Sequence, residues 1–245
     1  MTHWLATLPG VASFAVIVVA SNAVALGAAF LARRLFHRAG VTEAPGVVNS
    51  WGSVGGALCS MLFAFTIVTL WNGSGQAFRD VEAEVAALRM LARDIAPSQM
   101  PMVRDYVNGT IADWPQLCNG SESSATAETF LKLERFAKPR SETFAKDLFV
   151  EIASLDDLRN RRWQAADLSV PDEVWVGLIV VSLALFTVLA VAMPAGRATH
   201  VVLMVAVATA VGTLIWVATV LEYPFCGHTG IGPGEFVTFA RTHLP

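Results

Sequence analysis

The chain has 245 residues, of which 54% are hydrophobic and 15% charged, with a mean hydropathy of +0.54. Soluble domains carry about a quarter charged residues; here charge leaves four long runs and crowds into the middle of the chain, so a membrane composition is interrupted by a polar one. A net charge of −3 and a pI near 5.9 offer no polyphosphate-binding surface, which excludes nucleic acid as a partner class.

A membrane helix needs roughly 20 apolar residues, because a hydrocarbon core about 30 Å thick is crossed at about 1.5 Å per residue. The N-terminal Met1-Thr2-His3-Trp4 lacks the basic stretch of a cleaved signal peptide, so the first apolar run is expected to be a retained helix. The predicted spans are Leu8–Ala32, ending at Arg33-Arg34; Val47–Trp71, running into Asn72-Gly73-Ser74-Gly75; Val174–Met193, ending at Pro194; and Val201–Leu221, ending at Glu222-Tyr223-Pro224. None of the four contains a charge. Ser169-Val170-Pro171-Asp172-Glu173 gives the third span a start signal, since proline suits a first helical turn and carboxylates face the positive end of the helix dipole. Trp4, Trp51, Trp71 and Trp175 lie near span ends, where amphipathic rings prefer the headgroup layer, whereas Trp216 lies deeper and reads as a packing residue.

Three segments follow: 1–75 with the first two spans, a polar domain at 76–168, and 169–245 with the last two spans and the C-terminal tail. In the polar domain Val81, Val85, Leu88 and Ile95 recur at three-or-four spacing, an amphipathic helix that continues span two. Pro97 and Pro101 end it and begin a second helix carrying Tyr106, Val107, Ile111 and Trp114. A loop at 118–125, a third helix near Ala127–Phe136 and a fourth from about Ser141 to Ala166, leading into span three, complete the domain. The acidic pair Asp156-Asp157 and the basic residues Arg159, Arg161 and Arg162 read as a solvated face. The expected fold class is therefore an all-α membrane protein of four transmembrane helices, with a helical extramembrane domain between helices two and three.

The short loops set orientation. Arg33, Arg34, His37 and Arg38 face one acid, Glu43, in the first; Arg197 and His200 mark the second. Positive-inside logic places both in the cytoplasm and the middle domain outside, a long segment counting weakly in the rule. Cys118 and Cys226 then share an oxidising compartment that permits a disulfide, and Cys59 within span two reads as a small packing residue.

Gly52, Gly56, Ser60 and Ala64 recur every four residues on span two. Two readings stand: close helix packing, or a narrow pore-facing surface with Phe63 and Ile67 as hydrophobic constrictions. Asn22 is expected to find a helix-to-helix hydrogen bond, since unsatisfied polar groups are costly in lipid. No acid or base lies deep in a span, which argues against proton-coupled transport but not against a passive pore. Glu222, at the outer edge of span four, reads either as an ordinary interfacial residue or as a carboxylate facing a vestibule. Asn72, Asn108 and Asn119 begin short glycosylation-type sequons that matter only in a glycosylating pathway. The cysteines lack metal-site spacing, the five histidines are scattered, and no nucleophile–base pair, P-loop or dinucleotide turn is present. No enzyme, cofactor or metal is expected.

Several segments together resemble the bestrophin-like membrane proteins. They are the Gly-rich span Asn49–Leu70 followed by Glu84, Leu88, Leu91 and Arg93; Tyr106 with Trp114-Pro115; Arg159 with Arg161-Arg162; Pro171 with Trp175; and Glu222-Tyr223-Pro224-Phe225-Cys226-Gly227. The resemblance covers most of 49–240. It implies distant similarity to bestrophins, pentameric anion channels whose second span lines the pore, although these keep their large domain in the cytoplasm. Two functions follow as expectations for a homo-oligomer in a bacterial inner (plasma) membrane: a passive anion channel lined by span two, or a non-conducting scaffold or accessory subunit of an envelope complex.

Overall fold

The computed structural model describes residues 8–39, 45–118, 123–137, 143–167, 170–192, 198–227 and 230–244. His3, Trp4, Asn119, Met193, Arg197 and His228 fall outside them, and the side chains of Arg33, Asn49, Trp51, Phe144 and His200 are likewise not described. Most of the described residues are helical, and there is no strand among them. In chain order the helices are α1 (Gly10–Ala39), α2 (Pro45–Asp94), α3 (Met100–Leu117), α4 (Ser124–Ala137), α5 (Thr143–Asp167), α6 (Asp172–Ala192), α7 (Ala198–Glu222) and α8 (Gly234–His243), with a 3-10 turn at Pro97–Gln99. Four of them, α1, α2, α6 and α7, are long and apolar enough to cross a membrane.

Two compact units form, Met1–Trp71 with Ser169–Glu222, and Asn72–Leu168 with Tyr223–Pro245. The tail after α7 therefore groups with the polar helices and not with the spans that precede it.

In the first unit α1 packs against both α6 and α7. Its centre holds Ala25, Cys59, Phe63, Leu178, Phe186 and Ala208, while large apolar side chains such as Val11, Phe30, Met61 and Phe65 point outward. Such an outside suits hydrocarbon or neighbouring copies, because lipid tails are as apolar as leucine. Backbones approach closely where α1 meets α7: a Cβ on Gly212 would lie 2.9 Å from Ser21 Oγ and 3.2 Å from Val18 Cα. One turn of contact away, Asn22 Nδ2 donates to Thr209 Oγ1 at 3.1 Å and to its own helix at Val18 O, 2.9 Å, the expected interhelical bond. Trp216 packs as expected, edge-on to Phe14 with its Nε1 donating to Ser13 Oγ at 3.1 Å.

The second unit contains the polar end of α2 with α3, α4, α5 and α8. Leu88, Tyr106, Leu133, Ile152, Phe236 and Phe239 form its core. Proline explains the break after α2: Ala96, forced out of the helical region by Pro97, is extended at φ −63°, ψ 145°. Ser123 caps α4 by accepting from Thr126 N–H at 3.2 Å while its hydroxyl donates to Asp113 Oδ2 at 2.6 Å. Burial raises the Asp113 carboxyl, but the bonds from Ser123 and Thr126 outweigh it and hold the group below the usual aspartate range. The expectation that the last polar helix leads directly into span three is corrected, because Val170 and Pro171 are not helical and α6 begins anew at Asp172. Proline disfavours a helical residue before it.

Gly212→Ala should destabilise the α1–α7 contact by about 1–3 kcal/mol, an overpacking cost, whereas Gly177→Ala, with no atom within 4 Å of the new Cβ, should leave the melting temperature of the purified protein unchanged.

Candidate functional site

The long helix α2 presents two unlike faces. Cys59, Phe63 and Thr66 turn into the first unit's core, and Ala77, Val81, Val85, Leu88 and Leu91 turn into the second's, all at three-or-four spacing. The opposite face carries Val54, Leu58, Met61, Phe65 and Val68, each more than half exposed, at alternating four and three residues. The structure divides the four-residue row of small residues between these faces. Positions where Gly52 and Gly56 would carry a Cβ lie 3.7 Å from Val188 and 4.0 Å from Leu185 of α6, while Ser60 and Ala64 are exposed. Each four-residue step advances about 40° around a helix, so three steps carry the row from a neighbour to the outside. Phe63 is 1% exposed and Ile67 is half-buried.

Glu222 is 3% exposed, and its carboxylate closes the start of α6: Oε1 accepts from Val170 N–H at 3.0 Å and from Trp175 Nε1 at 3.1 Å. One donor is the backbone N–H just before Pro171 and the other the indole N–H of the helix's first turns, so the carboxylate ties the chain entering α6 to α6 itself. Trp175, noted in the sequence for its place near a span end, is fixed there by this carboxylate.

Sequence reasoning missed the most buried charge in the second unit. Glu84 of α2 is 0% and Arg162 of α5 is 2% exposed, with Arg162 Nε 3.1 Å from Glu84 Oε2. Arg162 is therefore not part of a solvated face, although Arg161 beside it is, paired with Asp157 at 2.8 Å on the surface. Tyr106 of α3 donates its hydroxyl to Glu84 Oε1 at 2.7 Å. Burial first, and then the Glu84 charge, push its phenol well above the usual tyrosine range. The Arg162 guanidinium lies over the rings of Phe236 at 5.3 Å and Trp114 at 5.4 Å, so α8 and α3 both pack on the same cation. The available signal was the period: Leu148, Ile152 and Leu155 predict a buried face on α5, and Arg162 is seven residues after Leu155 on that face.

The C-terminal segment is held to α3 by further bonds. Trp114 Nε1 donates to Ile231 O at 2.8 Å, and Cys118 and Cys226 are joined in a disulfide with Cα atoms 5.1 Å apart. Gly227, at φ 72°, makes the turn after Cys226 in the left-handed region that suits glycine. No group of three or more metal-ligating side chains occurs among the described residues.

Glu84→Leu should lower stability by about 3–5 kcal/mol, since it strands a buried guanidinium. The double variant Glu84→Leu/Arg162→Met should lose less than Glu84→Leu alone in thermal unfolding of the purified protein; a double variant as unstable as the sum of the singles contradicts a coupled pair.

Comparison with known proteins agrees with this architecture. A crystal structure of a bacterial bestrophin homologue from Klebsiella pneumoniae, a point variant, superimposes with a TM-score of 0.69 at 14% identity, covering 94% of this chain and 97% of that one. A second variant of the homologue gives 0.68 at 15% identity, covering 96% of each chain. At this identity the likeness is one of fold. No curated protein sequence matches the chain. The family model for the Bestrophin-like domain matches residues 19–236. With four helices able to span a bilayer and that match over most of its length, this integral membrane protein belongs to the Bestrophin-like family.

Proposed function

We propose that copies of this chain assemble in the membrane around α2 and form a passive ion channel, anion-selective by family resemblance. The observation that carries the reading is the outward face of α2. Val54, Leu58, Met61, Phe65 and Val68 follow the spacing by which like helices seam around an axis. Charge is absent from 47–78, so the path is apolar and suited to gating by dewetting rather than to proton relay. Exposed Ser60 and Ala64 beside the seam let neighbouring copies approach. Phe63 packs inside its own protomer, so Met61 and Phe65 take the constriction in this reading, while Gly52 and Gly56 serve packing against α6 and Ile67 is half-buried.

Purified protein in planar bilayers should conduct. Phe65→Ala should change unitary conductance, and Phe63→Ala should instead cost about 3 kcal/mol of stability by leaving a cavity. Silence from a well-folded oligomer under varied voltage and ions would sink the channel. Exposed Leu131, Phe149 and Val150 favour the second reading, an accessory subunit of an envelope complex. A mild-detergent pull-down yielding only the homo-oligomer counts against that alternative.

We further propose that the middle domain faces the extracytoplasmic side of a bacterial inner membrane. The Cys118–Cys226 disulfide supports this, since such bonds persist in oxidising compartments, and so do the arginines of the first short loop. Glu128→Cys introduces a thiol at a side chain 68% exposed. A membrane-impermeant maleimide should label it in intact cells; labelling only after permeabilisation would reverse the orientation.

A further inference from the structure

Along α2 the first charged residue after the apolar run is Arg79, followed at once by Asp80. The two charges are treated oppositely. Asp80 is 7% exposed and turned into the second unit, where Gln76 Nε2 donates to its Oδ1 at 2.8 Å. Arg79 is exposed, and the oxygen of the same Gln76 amide accepts from its Nε at 3.3 Å and its Nη2 at 2.9 Å. One amide therefore holds both partners of what would otherwise be a compensated pair, leaving the cation outside and the anion within. The guanidinium folds back toward the helix N-terminus, the direction helical side chains lean. It lies over Gly75, where a Cβ would be 3.6 Å from Nη1. It is thus laid back along α2 toward the uncharged stretch and held by a neutral amide, which does not cancel its charge.

We propose that Arg79 is the residue that sets ion preference: in the homo-oligomer, one Arg79 from each copy forms a ring of positive charge where the apolar stretch of α2 ends, concentrating anions and repelling cations. Gln76 positions the ring, and the Asp80 carboxylate, turned inward, takes its hydrogen bond from the Gln76 amide. The inference rests on the reading of α2 as the channel-lining helix and deepens it, replacing selectivity by resemblance with a named group. Glu82, exposed three residues further on, continues the same four-and-three row about 4.5 Å along the helix and away from the span; it partly opposes the ring, and Arg79 is the charge nearer the charge-free stretch.

The test is the reversal potential of purified oligomer in planar bilayers under a KCl gradient. Wild type and Arg79→Lys should prefer chloride. Arg79→Gln should lower the anion-to-cation permeability ratio by about tenfold, the scale on which a charged opening concentrates counter-ions, and Arg79→Glu should reverse its sign. Gln76→Leu should shift it in the same direction, by less. Conducting variants with the wild-type reversal potential overturn the proposal and leave the channel reading intact, whereas a silent wild type removes the channel reading itself. A measurement on wild type alone stands beside these: a ring of exposed charge is screened as salt rises, so chloride preference should fall between about 0.05 and 1 M KCl. A preference constant over that range, or a wild type that prefers potassium, overturns it.

Discussion

In hydrocarbon every backbone N–H and C=O must find its partner within its own segment, because no water is present to take its place. That constraint acts on the charge-free part of α2, yet the helix runs unbroken from Pro45 to Asp94, through Asn72, Gly73, Ser74 and Gly75, which by local propensity should stop it. Beyond them it is held by packing, with Ala77, Val81, Val85 and Leu88 buried in the second unit's core. Within the charge-free part, Ser60, Thr66 and Thr69 each donate a hydroxyl to the carbonyl four residues before. Side chains on this one helix supply part of the core of both compact units. A break in it would disturb both cores together.

Where the polar unit begins, burial is organised by charge instead. The Glu84–Arg162 pair has a desolvation cost that its mutual attraction offsets only with good geometry and further bonds. Tyr106 supplies one bond, and the faces of Trp114 and Phe236 supply an apolar surround that a delocalised guanidinium tolerates better than an ammonium would. Four helices meet at this pair, and α8 is fastened there with help from the disulfide and the Trp114–Ile231 bond. A pair of this kind is weak evidence for raw stability; its effect is to fix which residues of α2, α3, α5 and α8 face one another.

Much of the membrane architecture was legible in the sequence, because a charge-free apolar run as long as a bilayer is thick is rare outside membrane spans. The start of α6 was legible from Pro171 and two acids. Less was readable where rotation around a helix decides the outcome. A four-residue row looks like one face over two members and is no longer one over four, which is why Gly56 and Ala64 part company. Phe63 and Phe65 are equally apolar, and only the position of α6 and its neighbours puts one inside and the other out. Arg162 escaped notice because its neighbour Arg161 is a surface residue, and a cluster read by composition hides a single inward member. The helix α8 was missed for a related reason: Phe236 and Phe239 are too few to mark an amphipathic stripe until the rest of the core is present. The disulfide lay between these extremes, since only two cysteines could share a compartment while their spacing of 108 residues gave no hint of proximity.

These parts meet in α2, which carries an apolar outward seam in the span, a buried inner face holding each protomer together, and an exposed cation where the charge-free run ends. Conduction through such an assembly requires that the seam surround an axis. The most direct measurement is an electron cryomicroscopy structure of the oligomer in a lipid nanodisc. One α2 from each copy should surround a continuous central pathway, with Met61 and Phe65 facing it and Phe63 turned away. An axis filled by lipid or by another helix, with the seam facing the bilayer, would contradict a channel built on α2.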